Sequence, residues 1–240
     1  MKKNYLFAIL LAVLFSTNIQ AQATDSTAVA KKFSVDVGMD ILNCYIWRGV
    51  PLDKGPNLQP TILLKYDNLK LGFYGSYSFK YDFNNIMTIL SYDFDTKIGI
   101  LTPSLTHYYY PYDSVGLSDY GSHDDSFSHV TEAGIQYIGK KIPLRVYASV
   151  NIANDPEYST YFEAGYTRDV NGMKVEPFVG FVFNDSPDWH AATKPGLLNI
   201  GFNVFKELKI GKDYKLPVTG TLSYHSQLDM MNIMVRFSFF

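Results

Sequence analysis

Cysteine is almost missing from this chain: Cys44 is the only one in 240 residues. A lone cysteine excludes an intramolecular disulfide and any zinc site built from cysteines. It also lies too far along the chain to serve as a lipidated N-terminus. Long apolar runs are just as scarce. Beyond residue 23 nothing approaches the roughly 18 apolar residues of a membrane-crossing helix. Charge is thin as well, at 18% of residues, with 21 basic against 23 acidic side chains and a net of −2. That balance supplies no concentrated basic face, so a nucleic-acid partner is excluded. The sequence implies neither a cofactor nor a resident metal.

What is present begins with a leader. Met1-Lys2-Lys3 is basic, Tyr5 to Phe15 is an unbroken apolar run, and Ala21-Gln22-Ala23 is a small-x-small cleavage site. This pattern predicts a secretory signal peptide over residues 1–23, cut after Ala23 or Ala21. Residues 24–32 are small, polar and unpatterned, a flexible periplasmic lead-in. Loss of Lys2 and Lys3 with the leader would move the formal charge from −2 to −4.

From Phe33 onward the hydropathy alternates with period two, the signature of strands with one apolar and one polar face. Phe33, Val35, Val37, Met39 and Ile41 oppose Ser34, Asp36, Gly38 and Asp40. Leu144, Val146, Ala148, Val150 and Ile152 oppose Arg145, Tyr147, Ser149 and Asn151, and four more segments repeat the pattern clearly. Twelve strands are predicted, near 33–49, 58–66, 69–79, 86–94, 98–109, 129–138, 144–153, 160–168, 174–183, 197–205, 215–224 and 231–240. Pro103 and Pro177 fall inside proposed strands, where each removes a ladder donor, so both call for a bulge or a strand end. Ten or fourteen strands remain open alternatives; an even number is expected.

Connections alternate in length. Asp67-Asn68, Asp95 to Lys97, Gly139 to Pro143, Asp169 to Met173 and Lys206 to Tyr214 are short, while Tyr110 to Ser128 and Asn184 to Gly196 are long and polar. Short turns at one end and longer loops at the other are the layout of an outer-membrane barrel. The expected fold is therefore all-β: an antiparallel, up-and-down transmembrane β-barrel over residues 33–240, in the outer membrane of a Gram-negative cell. Aromatics near strand ends fit interfacial girdles: Tyr45, Trp47, Tyr66, Phe79, Tyr92, Tyr108, Tyr109, Tyr166, Phe183 and Tyr224. The chain ends in Phe240, which resembles the C-terminal signal read by the barrel-assembly machinery. The apolar series at this end is Phe239, Phe237, Val235 and Ile233, so either the terminus is offset by one residue or the last strand holds a bulge.

Tyr45-Ile46-Trp47-Arg48-Gly49, Pro56-Asn57-Leu58-Gln59-Pro60 and Gly72-Phe73-Tyr74-Gly75 together resemble the TorF-type porin family. In that family an aromatic-x-Trp-Arg-Gly segment lies on an early strand of an outer-membrane barrel. The resemblance covers about 35 residues closely; Val50-Pro51 stands where many members carry Ser-Gln. It implies a transport role. Read from the residues, continued alternation from Phe33 puts Tyr45 and Trp47 outward in a girdle and Arg48 inward.

With the apolar face outward, the lumen is lined by charges of both signs. Arg48, Lys70, Glu132, Arg145, Glu163, Glu176 and Arg236 are the candidates for setting selectivity. The leading expectation is a porin for small hydrophilic solutes, partnered by outer-membrane lipid. A closed structural or adhesive barrel acting through its loops is the alternative, since the same charges could form a plug. A lipid-modifying barrel enzyme ranks third. Its candidate groups are Ser128 with His129 and Glu132, or His225 with Ser226, but strand neighbours point to opposite faces. Asp113, Asp119, His123, Asp124 and Asp125 make one loop acidic, without the spacing of a calcium loop, so solvation is the expected role.

Overall fold

The computed structural model describes residues 32–81, 83–111, 116–120 and 128–240. The predicted leader and most of the lead-in lie outside the described residues. Among the described residues sixteen strands follow in order: β1 (Phe33–Leu42), β2 (Tyr45–Trp47), β3 (Val50–Asp53), β4 (Asn57–Tyr66), β5 (Leu69–Ser78), β6 (Asn84–Tyr92), β7 (Phe94–Asp95) and β8 (Gly99–Tyr109). Then come β9 (His129–Gly139), β10 (Leu144–Ala153), β11 (Thr160–Tyr166), β12 (Arg168–Val170), β13 (Met173–Val182), β14 (Gly196–Ile210), β15 (Tyr214–His225) and β16 (Met230–Phe239). One helical turn, α1 (Pro187–His190), separates β13 from β14.

Twelve of these strands close an antiparallel barrel in sequential order. β1 pairs with β4 on one side and β16 on the other, and the pairing of β11 with β13 completes the ring. β7 and β12 continue β6 and β11 after one-residue interruptions. Each wall strand overlaps its predicted segment. The connections at 67–68, 96–98, 140–143, 171–172 and 211–213 are short and lie at the end that holds Phe33 and Phe239, the turn end. The opposite loop end carries 43–56, 79–83, 110–128, 154–159, 183–195 and 226–229.

The alternation explains the wall. Val35, Ile62, Phe73, Leu90, Leu105, Ile135, Ile200 and Ile233 face outward and are exposed. Asp40, Gln59, Tyr74, Thr102, Gln136, Asn203 and Arg236 face the lumen, where they line cavities or meet one another. The prolines sit where the ladder breaks on one side. Pro103 pairs with Ile135 of β9, and the opposite ladder is interrupted between β6 and β7. Pro177 pairs with Phe202 of β14 and stands opposite the interruption between β11 and β12. Pro60 does the same beside β5, whose ladder skips from Leu58↔Tyr77 to Thr61↔Tyr74. A missing N–H removes one ladder bond, and the neighbouring strand is broken there.

One expectation needs correction, and one pair of alternatives is resolved in favour of the offset terminus. The first wall strand stops at Leu42, not residue 49, for reasons given below. The last strand contains no bulge: its register with β15 is unbroken from Met230 to Phe237. Phe240 instead lies one residue past the outward series, with its ring against Gly38.

Candidate functional site

The chain leaves the wall at Asn43. The Asn43 amide N–H donates to the Val235 carbonyl (3.2 Å), and its carboxamide accepts from Val235 N (2.6 Å) and donates to the Ile233 carbonyl (3.3 Å). A side chain thus satisfies the β16 edge while the backbone turns inward. β2 and β3 then form a hairpin that, among the described residues, pairs only with itself. Its tip, Arg48-Gly49, has φ of 51° and 82°, the two positive values of a type I′ hairpin turn. Gly49 also has no room for a side chain, since a Cβ would stand 2.8 Å from Asn199 Cβ. For Arg48 the left-handed conformation costs about 1–3 kcal/mol. On the return leg Asp53 accepts from Gly55 N (2.9 Å) and Asn57 Nδ2 (3.0 Å), which steers the chain into β4.

The contacts of Arg48 offset that strain. Its guanidinium forks onto the Glu132 carboxylate, Nη1 to Oε2 at 2.7 Å and Nη2 to Oε1 at 2.9 Å. Glu132 projects inward from β9 and also accepts from the hydroxyls of Tyr147 (2.7 Å), Ser149 (3.0 Å) and Tyr108 (3.2 Å). The guanidinium carbon lies 4.3 Å from the ring centres of both Trp47 and Tyr161. Side-chain exposure is 8% for Arg48 and 1% for Glu132, so this is a buried ion pair with its hydrogen bonds satisfied. Burial works against the Arg48 charge, but Glu132 outweighs it and holds the guanidinium firmly protonated.

A second loop closes over the first. Ser186 caps α1, its hydroxyl accepting from His190 N (3.2 Å). Trp189 packs edge-on against Trp47 and Tyr108. The His190 ring stacks on Trp47 with its Nε2 3.1 Å from Arg48 Nη1 and its Nδ1 3.1 Å from Ser186 Oγ. Because Arg48 can only donate, Nε2 is the acceptor and the ring is neutral. Burial first, then Arg48 and His225, push its pKa down to about 2. Asp155 anchors the adjoining loop by accepting from Asn151 Nδ2 (2.6 Å) and Ser159 N (2.9 Å), and Ser186 Oγ donates to Ser159 Oγ (2.6 Å).

The remaining luminal candidates lie on the inner wall and are also paired. Arg145 meets both Glu163 (2.7 Å) and Glu176 (2.9 Å), Lys70 meets Asp93, and Arg236 stands 3.6 Å from Asp40. On the turn side of the hairpin the lumen holds cavities of about 440, 490 and 620 Å³, bordered by Arg145, Glu163 and Arg236 and by Tyr74, Tyr147 and Gln136.

The girdle expectation divides. Tyr66, Tyr92 and Tyr166 are exposed at the turn end, and Phe79 and Phe183 at the loop end. Tyr224 faces outward and donates to Asp229 (2.8 Å). Tyr45, Trp47 and Tyr108 are corrected: they belong to the luminal packing, Tyr45 against Leu42, Ile46 and Met234, and Trp47 and Tyr108 around Trp189. The inward turn at Asn43 breaks the parity that would have carried Tyr45 and Trp47 to the outer face. Tyr108 has the parity of Thr106 and Thr102, which is inward. Tyr109 faces outward but is buried, stacked on His129.

His129 is bonded to His107 (3.0 Å) and to the Gly116 carbonyl (3.1 Å) on the outer face, away from Glu132. His225 accepts from Leu228 N and donates to the His190 carbonyl, while the Ser226 hydroxyl donates to the Leu197 carbonyl. Neither serine–histidine candidate is therefore assembled with its neighbour. Of the acidic loop, Asp113, His123, Asp124 and Asp125 lie outside the described residues. Among the described residues, no group of three or more His, Cys, Asp or Glu side chains is placed to hold a metal. Trp189 and His190, within the long polar connection Asn184 to Gly196, are buried beside Arg48. No protein-family model matches the chain, and no curated protein matches it.

Proposed function

We propose that this is an outer-membrane barrel that passes small hydrophilic solutes and rests closed, barred on its loop side by the Tyr45–Asp53 hairpin. An outward wall of exposed Val, Ile, Leu and Phe between two sets of aromatic residues supports a lipid setting. The loop asymmetry supports a periplasmic turn end, and the exposed Phe240 is consistent with a contact for the assembly machinery. The TorF-type resemblance agrees with this reading. It treats the chain as a conduit without catalytic chemistry.

One observation carries the proposal: the lumen below the hairpin is hollow and carries charged side chains such as Arg145, Glu163 and Arg236, and the obstruction above it is an element outside the wall's hydrogen-bond ladder. Such an element can move without unfolding the barrel. The full pairing of the luminal candidates favours the second reading, a closed structural or adhesive barrel. Proteoliposome swelling separates the two. Small sugars should enter slowly through the wild type and several times faster through Arg48→Ala. Equal, background-level swelling for both, with folded barrels, favours the closed structure.

A further inference from the structure

The surroundings of Arg48 have the form of a ligand site whose occupant is part of the chain. Glu132 presents both oxygens to a guanidinium fork, the geometry that distinguishes guanidinium from a simple ammonium. Trp47 and Tyr161 present ring faces at 4.3 Å, and Tyr147 a third at 5.5 Å. His190 Nε2 supplies one more acceptor at 3.1 Å. Three hydroxyls hold the carboxylate in place independently of Arg48, so the receptor half of the pair is built by the wall itself.

The occupant is less secure than the site. Arg48 reaches Glu132 only from a turn position with φ of 51°, a conformation that L side chains rarely adopt. A free cation filling the same pocket would carry no such strain. Space adjoins it: the cavity of about 490 Å³ is bordered by Trp47, Arg48, Tyr147 and Tyr161, and that of about 620 Å³ by Trp47, Tyr108 and Tyr147.

We infer that the Glu132 pocket is a receptor site for a small organic cation of the guanidinium class, and that Arg48 occupies it in the resting protein. An alkylguanidine entering from the adjoining cavity competes with Arg48 for Glu132 and the aromatic faces, and its binding frees the hairpin. Only this last consequence, opening of the lumen, rests on the channel reading; the binding is read without conduction.

The chain's two tryptophans, Trp47 and Trp189, both stand at this site, so intrinsic fluorescence reports on it. Refolded full-length protein in detergent is titrated with agmatine against sodium chloride of equal ionic strength. A saturable emission change is expected in the wild type, roughly tenfold tighter in Arg48→Ala because the tethered competitor is gone. It should vanish in Arg48→Ala/Glu132→Gln. Arg48→Lys, which keeps the charge and loses the fork, replaces the alanine variant if that one does not fold. No saturable response in either single variant overturns the inference, as does a response that survives loss of the Glu132 charge. Saturable binding in a barrel that never conducts removes the channel reading and leaves the site standing.

Discussion

Replacing Glu132 with glutamine keeps the size of the side chain and one acceptor oxygen while removing the charge beneath Arg48. The guanidinium would then be held 8% exposed with no carboxylate to face. Taking one partner from a buried pair costs about 3–5 kcal/mol. The loss falls on the closed hairpin and not on the wall, because β2 and β3 pair only with each other. At about 1.4 kcal/mol per power of ten, the ratio of released to seated hairpin rises by about two to four powers of ten. The Arg48 backbone strain, about 1–3 kcal/mol, acts in the same direction. Acrylamide quenching of Trp47 and Trp189 measures seating, and the heat-modifiable mobility of the folded barrel on gels serves as the control for the wall. Quenching should become efficient at denaturant concentrations where the barrel band is still intact. Unchanged quenching in an intact barrel would refute the reasoning, and so would loss of hairpin and wall in a single transition.

Three further outcomes are expected. The depressed pKa of His190, about 2 against an ordinary value near 6.5, means that the released loop takes up a proton that the seated one refuses. Seating is therefore fully stabilised above about pH 6.5 and loses about 1.4 kcal/mol per unit as pH falls below it; tryptophan quenching against pH should show that slope, and His190→Gln should flatten it. Gly49→Ala places a Cβ 2.8 Å from Asn199 Cβ at φ 82°, so it should unseat the hairpin by about 1–3 kcal/mol, read by the same quenching with the barrel band unchanged. In bilayers of brominated lipid, Trp47 and Trp189 should be quenched weakly, because both lie among luminal side chains; strong quenching would return Trp47 to a girdle.

The wall was legible because period-two alternation and turn residues are local signals, and a strand needs little else to be placed. The inward set of charges followed from the same parity, and the prolines marked the interruptions in neighbouring strands. The hairpin was not legible by that route. Tyr45-Ile46-Trp47 continues the alternation of β1, and period two is identical in a wall strand and a strand folded into the lumen. The missing signal lay in residues of the turn and of the wall's exit. Arg48-Gly49 is a two-residue turn between short strands, with glycine at a position of positive φ, and Pro51 lies in the strand that follows. Asn43 ends the wall by a side-chain bond to β16, a partner nearly 200 residues away in sequence. No local signal marks Trp189 and His190 as buried, since they sit in a long polar loop; only the tertiary contact with Trp47 and Arg48 buries them.

A mobile hairpin, not the wall, is proposed to close this barrel. Single-channel recording in planar bilayers tests it most directly, with wild type and Arg48→Ala compared at the same voltage and salt. The wild type should be closed with brief openings, and the variant should show sustained conductance of the same unit size. Silence from a folded Arg48→Ala barrel, or equal steady conductance from both, would contradict it.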